Sequence, residues 1–488
     1  MSITRHIKFI IIALIASCFA GCATNPVTGD SDFVLMSEDS EIAIGRKNHP
    51  AIIKEYGLYD DPALQKYVQD VGTQLANKSH RQNLIYRFSV LDSDQVNAFA
   101  LPGGYIYITR GLMAYLNSEA ELAAVLGHEL GHVTARHGVR QQTAATLRGL
   151  LGAVIASQTN SSAAMDVTNI LSSALVKGYG REHELEADKL GAEYLSRTGY
   201  APKAMIDVIR VLKNQESLEK ELAKKENREP QIYHGVFSTH PDNDKRLQEV
   251  VKHAEVFKKN GSASRKLNRP EFLHKLDGLV FGDSEKQGIR RGRNFYHKQL
   301  DFALRFPQDW RIDNRPSALI AQTPTGDGFI QVISTDLNRK HSPRAFIQTR
   351  LKIDDFSNGR NITPDGLQGY TLTSNMQTPY GERKTRVAAV FHKDKVFVFF
   401  AAAKSNNQLS RYDDLFLDTI NSLHLLTPRE HKLAEPLRLK IIPTPKDKTI
   451  TELARHSKIS NYPEQQLRLL NDIYPSGDPK DRNIKIVE

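Results

Sequence analysis

Residues 118–138 read SEAELAAVLGHELGHVTARHG, and this stretch decides the fold of the first half of the chain. Ser118 followed three residues later by Glu121 is a capping-box pattern, so we expect a helix to begin here. Leucine and valine side chains at helical spacing give this helix one buried face, and Gly138 stands where a C-terminal cap belongs. The stretch therefore predicts one helix that contains the segment HELGH.

The HELGH segment has the spacing of a metal site. His128 and His132 are four residues apart, so both rings lie on one face of the helix and can reach one cation. Glu129 lies about 100° around the helix, where its carboxylate can reach a water beside that cation. Gly127 and Gly131 each cost about 1 kcal/mol relative to alanine in a helix, and they leave a bare surface that another backbone can approach. The segment predicts a zinc centre with an acid–base carboxylate beside it.

A third zinc ligand is expected from GYGREHELEADKLGAEYL, a second helical stretch that begins at residue 178. Glu184 and Asp188 are four residues apart on one face, which suits one carboxylate that binds the metal and another that orients a metal-binding histidine. Three neighbouring residues are also possible ligands by residue type: Glu182, His183 and Glu186. The alternative interpretation of this stretch is a solvated acidic helix face. His137 is out of register with the other two histidines of the first helix and is interpreted as a helix-end residue.

The amino terminus has the layout of a secretory signal peptide over residues 1–21. A basic start is followed by the apolar run FIIIALIASCFA, which is too short to span a bilayer. Cys22 follows FAG, where bacterial lipoproteins carry their lipidated cysteine, and residues 22–33 then form a lipidated tether. The alternative is ordinary cleavage near Ala20 with a free cysteine. Because Ala23 rather than aspartate comes next, we expect a periplasmic lipoprotein anchored to the outer membrane.

The whole chain is expected to be an α+β multidomain protein, since 488 residues exceed one hydrophobic core. Helical periodicity dominates the first half, and alternation with period two dominates the second. The predicted parts are a mainly helical domain with a small edge-strand sheet (34–258), a linker (259–294), an antiparallel α+β domain (295–427) and a small C-terminal unit (434–488). The net charge of +10 is spread along the chain without a nucleic-acid module, so no nucleic-acid partner is expected.

The small C-terminal unit contains TITELAR, QQLRLLN and NIKIV in the order of a degenerate LysM module. Such modules bind glycan polymers, which makes peptidoglycan a candidate partner. An ordinary capping subdomain is the alternative interpretation.

Four segments together resemble a known family. NAFALPGGYIYITRGL, SEAELAAVLGHELGH, GYGREHELEADKLG and FSTHPDNDKR stand in the order seen in gluzincin zinc metallopeptidases of the HtpX, BepA, Oma and CAAX prenyl protease type. The resemblance covers about residues 34–258, and the β-rich C-terminal half resembles the extension of periplasmic lipoprotein members.

The resemblance implies a site with one Zn²⁺ per chain. His128, His132 and Glu184 are then the zinc ligands and Glu129 the general base, while Asp188 hydrogen-bonds to a ligand histidine.

The resemblance also implies residues that act on the substrate. The segment from Asn97 through Ala98 and Phe99 to Ala100 is expected to be an edge strand that pairs with extended substrate. His240 and Arg246 are expected near the open zinc position as catalytic residues. His240 either donates a hydrogen bond to the oxyanion, or binds zinc in the resting state, or merely caps a turn.

The expected function is that of a zinc metalloendopeptidase of the bacterial cell envelope, which hydrolyses unfolded or misassembled envelope proteins. The alternative is a non-catalytic envelope lipoprotein with structural zinc, which acts as an assembly factor or binds peptidoglycan. Glu129 favours the enzyme, because a purely structural site has no use for a carboxylate beside the open metal position.

Overall fold

The computed structural model describes residues 22–24, 26–27, 29, 31–34, 36–146, 179–226, 230, 266–445, 447–479 and 482–488. The chain forms two compact units: one runs to Leu279 and resumes with Leu439–Glu488, and the other is Val280–Arg438. The expected α+β class and multidomain layout are confirmed. The expected signal peptide and the segment FSTHPDNDKR lie outside the described residues.

The first unit is mainly helical. Its elements up to Leu279 are β1 (Cys22–Thr24), β2 (Ser31–Phe33), α1 (Glu38–Tyr56), α2 (Pro62–Ala76), β3 (Arg87–Leu91), β4 (Ala98–Leu101), β5 (Tyr105–Thr109), α3 (Arg110–Tyr115), α4 (Glu119–Thr134), α5 (Arg181–Thr198), α6 (Lys203–Lys225) and α7 (Arg269–Leu276). Within the described part of the chain, no helix is long and apolar enough to cross a membrane. The prediction of a linker over residues 259–294 is wrong for Arg269–Leu276, which form helix α7. This helix is held in place by its buried residues Phe272, Leu273 and Leu276.

A three-stranded sheet lies beside the helices in the order β3–β5–β4. β3 and β5 are parallel, whereas β4 runs antiparallel to β5 and forms one edge. The turn between β4 and β5 requires glycine, because Gly103 and Gly104 have φ values of 80° and 91°. A Cβ on Gly104 would also lie 2.6 Å from the Ile85 carbonyl oxygen.

Helix α4 begins as predicted but ends earlier. The Ser118 hydroxyl accepts from the Glu121 amide, and the Glu121 carboxylate accepts from the amide of Asn117. The helix ends at Thr134 rather than at a Gly138 cap. The reason is Arg136, whose φ of 53° breaks the helical path, and residues 137–146 then form a new helical segment.

The conformation of Arg136 is held by contacts to α1 and the segment before it. Its Nε lies 3.1 Å from Glu41 Oε2, and its Nη2 donates to the Met36 carbonyl oxygen at 2.8 Å. Glu41 is buried and also accepts from Arg81 at 2.9 Å. This buried ion network holds the turn that ends α4.

The second unit is built on an antiparallel sheet. Its elements are β6 (Val280–Phe281), β7 (Ile289–Arg291), β8 (Asn294–His297), β9 (Phe302–Arg305), β10 (Arg311–Arg315), β11 (Ala318–Gln322), β12 (Gly328–Asp336), α8 (Pro343–Arg350), β13 (Ser357–Ile362), β14 (Gly369–Thr378), β15 (Gly381–His392), β16 (Lys395–Ala403), α9 (Asn406–Asn421) and α10 (Pro428–Leu433). Seven strands pair in the order β10–β11–β12–β16–β15–β14–β13. Alternate residues of β16 enter two separate cores, Phe397 and Phe399 in one and Val396 and Val398 in the other, so both faces of this strand are covered.

The chain ends with β17 (Leu437–Pro443), α11 (Ile450–Arg455), α12 (Pro463–Leu470) and β18 (Asn483–Val487), and β17 pairs antiparallel with β18. From Leu439 onward these residues belong to the first unit, so the predicted separate third unit is not seen. The reason is Lys485 on β18, which is fully buried. Its Nζ donates to the carbonyl oxygens of Ala114 at 2.7 Å and Leu116 at 2.8 Å, at the end of α3.

Candidate metal centre

Helices α4 and α5 bring three candidate metal ligands together. His128 Nε2 lies 3.0 Å from His132 Nε2, and each of these atoms lies 3.5 Å from an oxygen of Glu184. All three side chains are buried, and within the described residues they are the group with the composition and spacing to hold a metal ion. The structure therefore brings together the three residues that the sequence analysis selected.

The spacing of the ligand atoms fits zinc. A tetrahedral ion with bonds of about 2.1 Å places its ligand atoms about 3.4 Å apart. The distances here, 3.0 and 3.5 Å, surround that value. Two imidazoles and one carboxylate are also a ligand set of catalytic zinc sites, in which a fourth position stays open to water or substrate.

Asp188 orients the first histidine. Its Oδ1 lies 2.8 Å from His128 Nδ1, and the carboxylate is buried one helical turn after Glu184 on α5. A carboxylate only accepts hydrogen bonds, so Nδ1 carries the proton and Nε2 presents its lone pair to the metal position. This is the contact that the sequence analysis expected of Asp188.

His132 has a different partner. Its Nδ1 lies 2.8 Å from Nδ1 of His137, the first residue after the turn that ends α4. His137 Nε2 lies 3.0 Å from Glu186 Oε2, and the same oxygen accepts from Arg140 at 3.0 Å. Burial lowers the pKa of His137, although the Glu186 carboxylate opposes that shift. The hydrogen bond from His137, together with the Arg140 guanidinium, lowers the pKa of Glu186 to about 2.

Aromatic rings cover these two histidines. The Tyr179 ring stacks on His132 with 4.1 Å between centroids, and His183 stacks on His137 at 4.3 Å. Burial raises the pKa of Tyr179, and the charges of Glu129 and Glu184 raise it further. Burial also lowers the pKa of His183 to about 4, with the charges of His137 and Arg140 acting in the same direction.

Glu129 lies next to the first histidine of the site and is buried. It is not one of the three side chains whose atoms converge on the metal position. It follows His128 directly on α4, which is the sequence position of the carboxylate that we expect to accept a proton.

The glycines of HELGH let α4 and α5 approach each other closely. A Cβ on Gly131 would lie 3.0 Å from Cα and O of Ala187, which stands between Glu186 and Asp188. A Cβ on Gly127 would be 3.4 Å from Cα and O of Gly191, an ordinary contact. Close backbone approach is therefore the reason that α4 accepts glycine, and it is tightest at Gly131.

We expect the two glycines to respond differently to alanine. Gly131→Ala should weaken zinc binding about tenfold, because the new methyl group pushes on the α5 backbone that carries the site carboxylates. Gly127→Ala, the matched control, should keep the wild-type zinc affinity and stabilise the helix by up to about 1 kcal/mol. Competition with a chromogenic chelator measures both affinities. Equal zinc affinity in the two variants would show that the close approach of α4 and α5 at Gly131 does not affect zinc binding.

The predicted substrate strand is placed at a sheet edge beside the site. Asn97 precedes β4, whose residues include Ala98, Phe99 and Ala100, and all four are buried. Among the described strands, only β5 pairs with β4. One small cavity is lined by Ala100 at the end of this strand and by His132 of the metal centre.

Three other predicted residues are not placed in the site. His240 and Arg246 lie outside the described residues, so their expected catalytic roles stay predictions. Cys22 is the first residue of β1, and its expected lipidation also stays a prediction.

The sequence pattern did not predict the contacts that His137 and Glu186 make next to the candidate ligand His132. His137 was interpreted as a helix-end residue, because its spacing from His132 does not fit a continuous helix. The signal was present in α5, where acidic residues occur at every second position from Glu184 to Asp188. Such spacing sends the middle carboxylate, Glu186, to a different part of the α4 surface from the outer two.

Comparisons with known proteins find peptidases that are similar to part of this chain. The model described as Peptidase family M48 matches residues 62–254. The chain is 30% identical over 248 residues to the beta-barrel assembly-enhancing protease of Yersinia pestis, with 49% of each protein covered. It is 26% identical over 262 residues to mitochondrial metalloendopeptidase OMA1 of Saccharomyces cerevisiae, covering 49% of this chain and 73% of that protein.

The match is limited in extent. The chain spans about half the length of the beta-barrel assembly-enhancing proteases it matches. Among solved structures, cyanobacterial PsbP from Synechocystis is 14% identical with a TM-score of 0.23, covering 30% of this chain and 98% of that protein.

Proposed function

We propose that the protein is a zinc-dependent metalloendopeptidase of the bacterial cell envelope, and the match of residues 62–254 to the model of Peptidase family M48 supports this proposal. The observation that carries the proposal is the convergence of His128, His132 and Glu184 with spacings of 3.0 to 3.5 Å. The buried carboxylate of Glu129 beside them supplies the acid–base group that hydrolysis needs.

The residues of the site divide the work of hydrolysis. The two histidines and Glu184 would hold the ion as a three-residue ligand set, while Asp188 fixes the orientation of His128. Zinc, when bound, lowers the pKa of water and polarises the scissile carbonyl group. Glu129 accepts the proton of the attacking water and delivers it to the leaving amine.

The proposed substrates are unfolded or misassembled envelope proteins. The edge strand β4 offers backbone groups to an extended chain, and backbone pairing is largely independent of the side chains of that chain. The names of the relatives point in the same direction, since several are proteases named for β-barrel assembly.

The substrate class is tested with one outer-membrane β-barrel protein in two states. We expect the zinc-loaded chain to cleave the unfolded barrel at least about tenfold faster than the barrel folded in detergent, because a closed barrel has no free strand to pair with an edge. Gel densitometry over time measures both rates. Equal rates for the two states would contradict the proposed substrate class.

We also propose that the protein is a periplasmic lipoprotein held at the outer membrane through Cys22. The support is the signal layout that ends in FAGC. Cys22→Ala should move the protein from the membrane fraction to the soluble fraction and leave the mature mass without acyl chains. An unchanged fractionation and an unchanged mature mass would refute the anchor.

A second partner is proposed for the C-terminal residues. The order β17–α11–α12–β18, with antiparallel strands, suits the LysM-like pattern of the sequence and makes peptidoglycan the proposed ligand. Co-sedimentation of the purified chain with isolated peptidoglycan tests it, and a chain that stays in the supernatant refutes it. Binding to peptidoglycan with no proteolysis would favour the alternative of a non-catalytic assembly factor with structural zinc.

A further inference from the structure

The two histidines of the metal centre are oriented by different means. Asp188 contacts His128 directly, whereas His132 Nδ1 contacts Nδ1 of another histidine, His137, at 2.8 Å. In a neutral imidazole one nitrogen donates and the other accepts. The position of one proton therefore decides whether Nε2 of His132, the nitrogen at the metal position, has a free lone pair.

Glu186 decides where that proton lies. Its Oε2 accepts from His137 Nε2 at 3.0 Å, so this nitrogen carries the proton of His137. Nδ1 of His137 then has a lone pair and accepts from Nδ1 of His132. As a result, Nε2 of His132 is left with its lone pair directed at His128 Nε2 and Glu184, which lie 3.0 and 3.5 Å away.

The surroundings hold this chain of contacts in place. Arg140 donates to the same oxygen of Glu186 at 3.0 Å and fixes that carboxylate on the side of His137. His137 is fully buried, so solvent does not compete for its nitrogens. The left-handed conformation of Arg136 ends the helical path of α4 just before His137.

We propose that His137 is a positioning residue that holds His132 in the tautomer that binds the metal, and that Glu186 fixes the tautomer of His137 in turn. Helix α5 then orients both metal-binding histidines, one directly through Asp188 and one through His137. The inference rests on the proposed function only in taking zinc as the ion that His132 binds.

The test measures zinc affinity by chelator competition and the visible absorption of the Co²⁺-substituted full chain. His137→Ala should bind zinc about 10 to 100 times more weakly than wild type, as is typical when the hydrogen-bond partner of a ligand histidine is lost. His137→Asn should bind within a few fold of wild type, because its amide oxygen stands near the place of Nδ1 and accepts from His132. The Co²⁺ spectrum should change in the alanine variant and return towards wild type with asparagine.

Two matched controls separate positioning from packing. His183→Ala removes the ring stacked on His137 but none of the hydrogen-bond partners of His132, so it should weaken zinc binding less than His137→Ala does. The side chain of Glu186 is partly exposed, and Glu186→Ala should weaken zinc binding several fold. Glu182 is on the exposed surface of α5, and Glu182→Ala should leave zinc binding unchanged.

The outcomes are distinct. Wild-type affinity in His137→Ala, or equal losses in His137→Ala and His183→Ala, would overturn the positioning role. If His137→Ala does not fold, the comparison of Glu186→Ala with Glu182→Ala decides, and equal affinities in that pair would overturn the proposal. A wild-type chain that binds no zinc would instead overturn the proposed function.

Discussion

Glu129→Gln is expected to lower proteolysis by at least about a thousandfold while one zinc ion stays bound. Glutamine has nearly the shape of glutamate but accepts no proton at neutral pH, so it removes the general base and preserves packing. Zinc stays because Glu129 is not among the three converging ligand side chains. Rates are measured on casein, and metal content is measured on the same preparation.

The matched control is Glu182→Gln, on the exposed surface of α5. It removes one carboxylate near the site in sequence without touching the metal position and should cleave at the wild-type rate. A Glu129→Gln chain that cleaves casein as fast as wild type would show that another group accepts the proton.

Glu184→Ala is expected to remove both zinc and activity. The side chain is fully buried, and its two oxygens each lie 3.5 Å from a ligand nitrogen. Without it, two histidines remain, which is one ligand fewer than catalytic zinc sites use. The loss of zinc affinity should exceed the 10- to 100-fold that follows the loss of an outer hydrogen-bond partner. Metal analysis after dialysis measures it.

Glu182→Ala serves as the control for this second prediction, since it lies two residues earlier on the same helix and is exposed. It should retain one zinc ion per chain. Retention of zinc by Glu184→Ala would mean that a different third ligand holds the ion.

Together the two variants separate binding from chemistry. Glu129→Gln should keep zinc and lose cleavage, and Glu184→Ala should lose both. If the zinc were purely structural, Glu129→Gln would change neither the zinc content nor the cleavage rate, because a carboxylate outside the ligand set has no role in such a site.

The grouping of His128, His132 and Glu184 was predictable from the sequence because the information for it is local. His128 and His132 meet through the geometry of one helix, and Glu184 and Asp188 through the geometry of another. Ligand chemistry then limits how two such helices can face each other. The glycines of HELGH pointed to the close approach that the distances at Gly131 display.

The contribution of His137 was not predictable in the same way. It depends on Arg136 leaving the helical path, and that turn is held by Glu41, which is far away in sequence. A pattern search that assumes a continuous helix places His137 on the wrong side of it.

The placement of the C-terminal residues in the first unit could not be predicted from the sequence for a related reason. A lysine in a strand usually predicts an exposed position, yet Lys485 is fully buried against carbonyl oxygens of Ala114 and Leu116. Those carbonyls end α3, just before the metal-binding helix begins, and only tertiary contacts bring Lys485 to them.

The central claim, that this chain is a zinc-dependent endopeptidase, is tested most directly by removing and restoring the metal in the wild-type protein. The purified full chain is assayed for zinc content and casein cleavage before chelation, after chelation and after addition of one equivalent of zinc. We predict one zinc ion per chain, loss of cleavage when it is removed and recovery when it is restored. Cleavage that survives complete removal of zinc, or a chain that holds one zinc ion and cleaves no unfolded protein, would contradict the account.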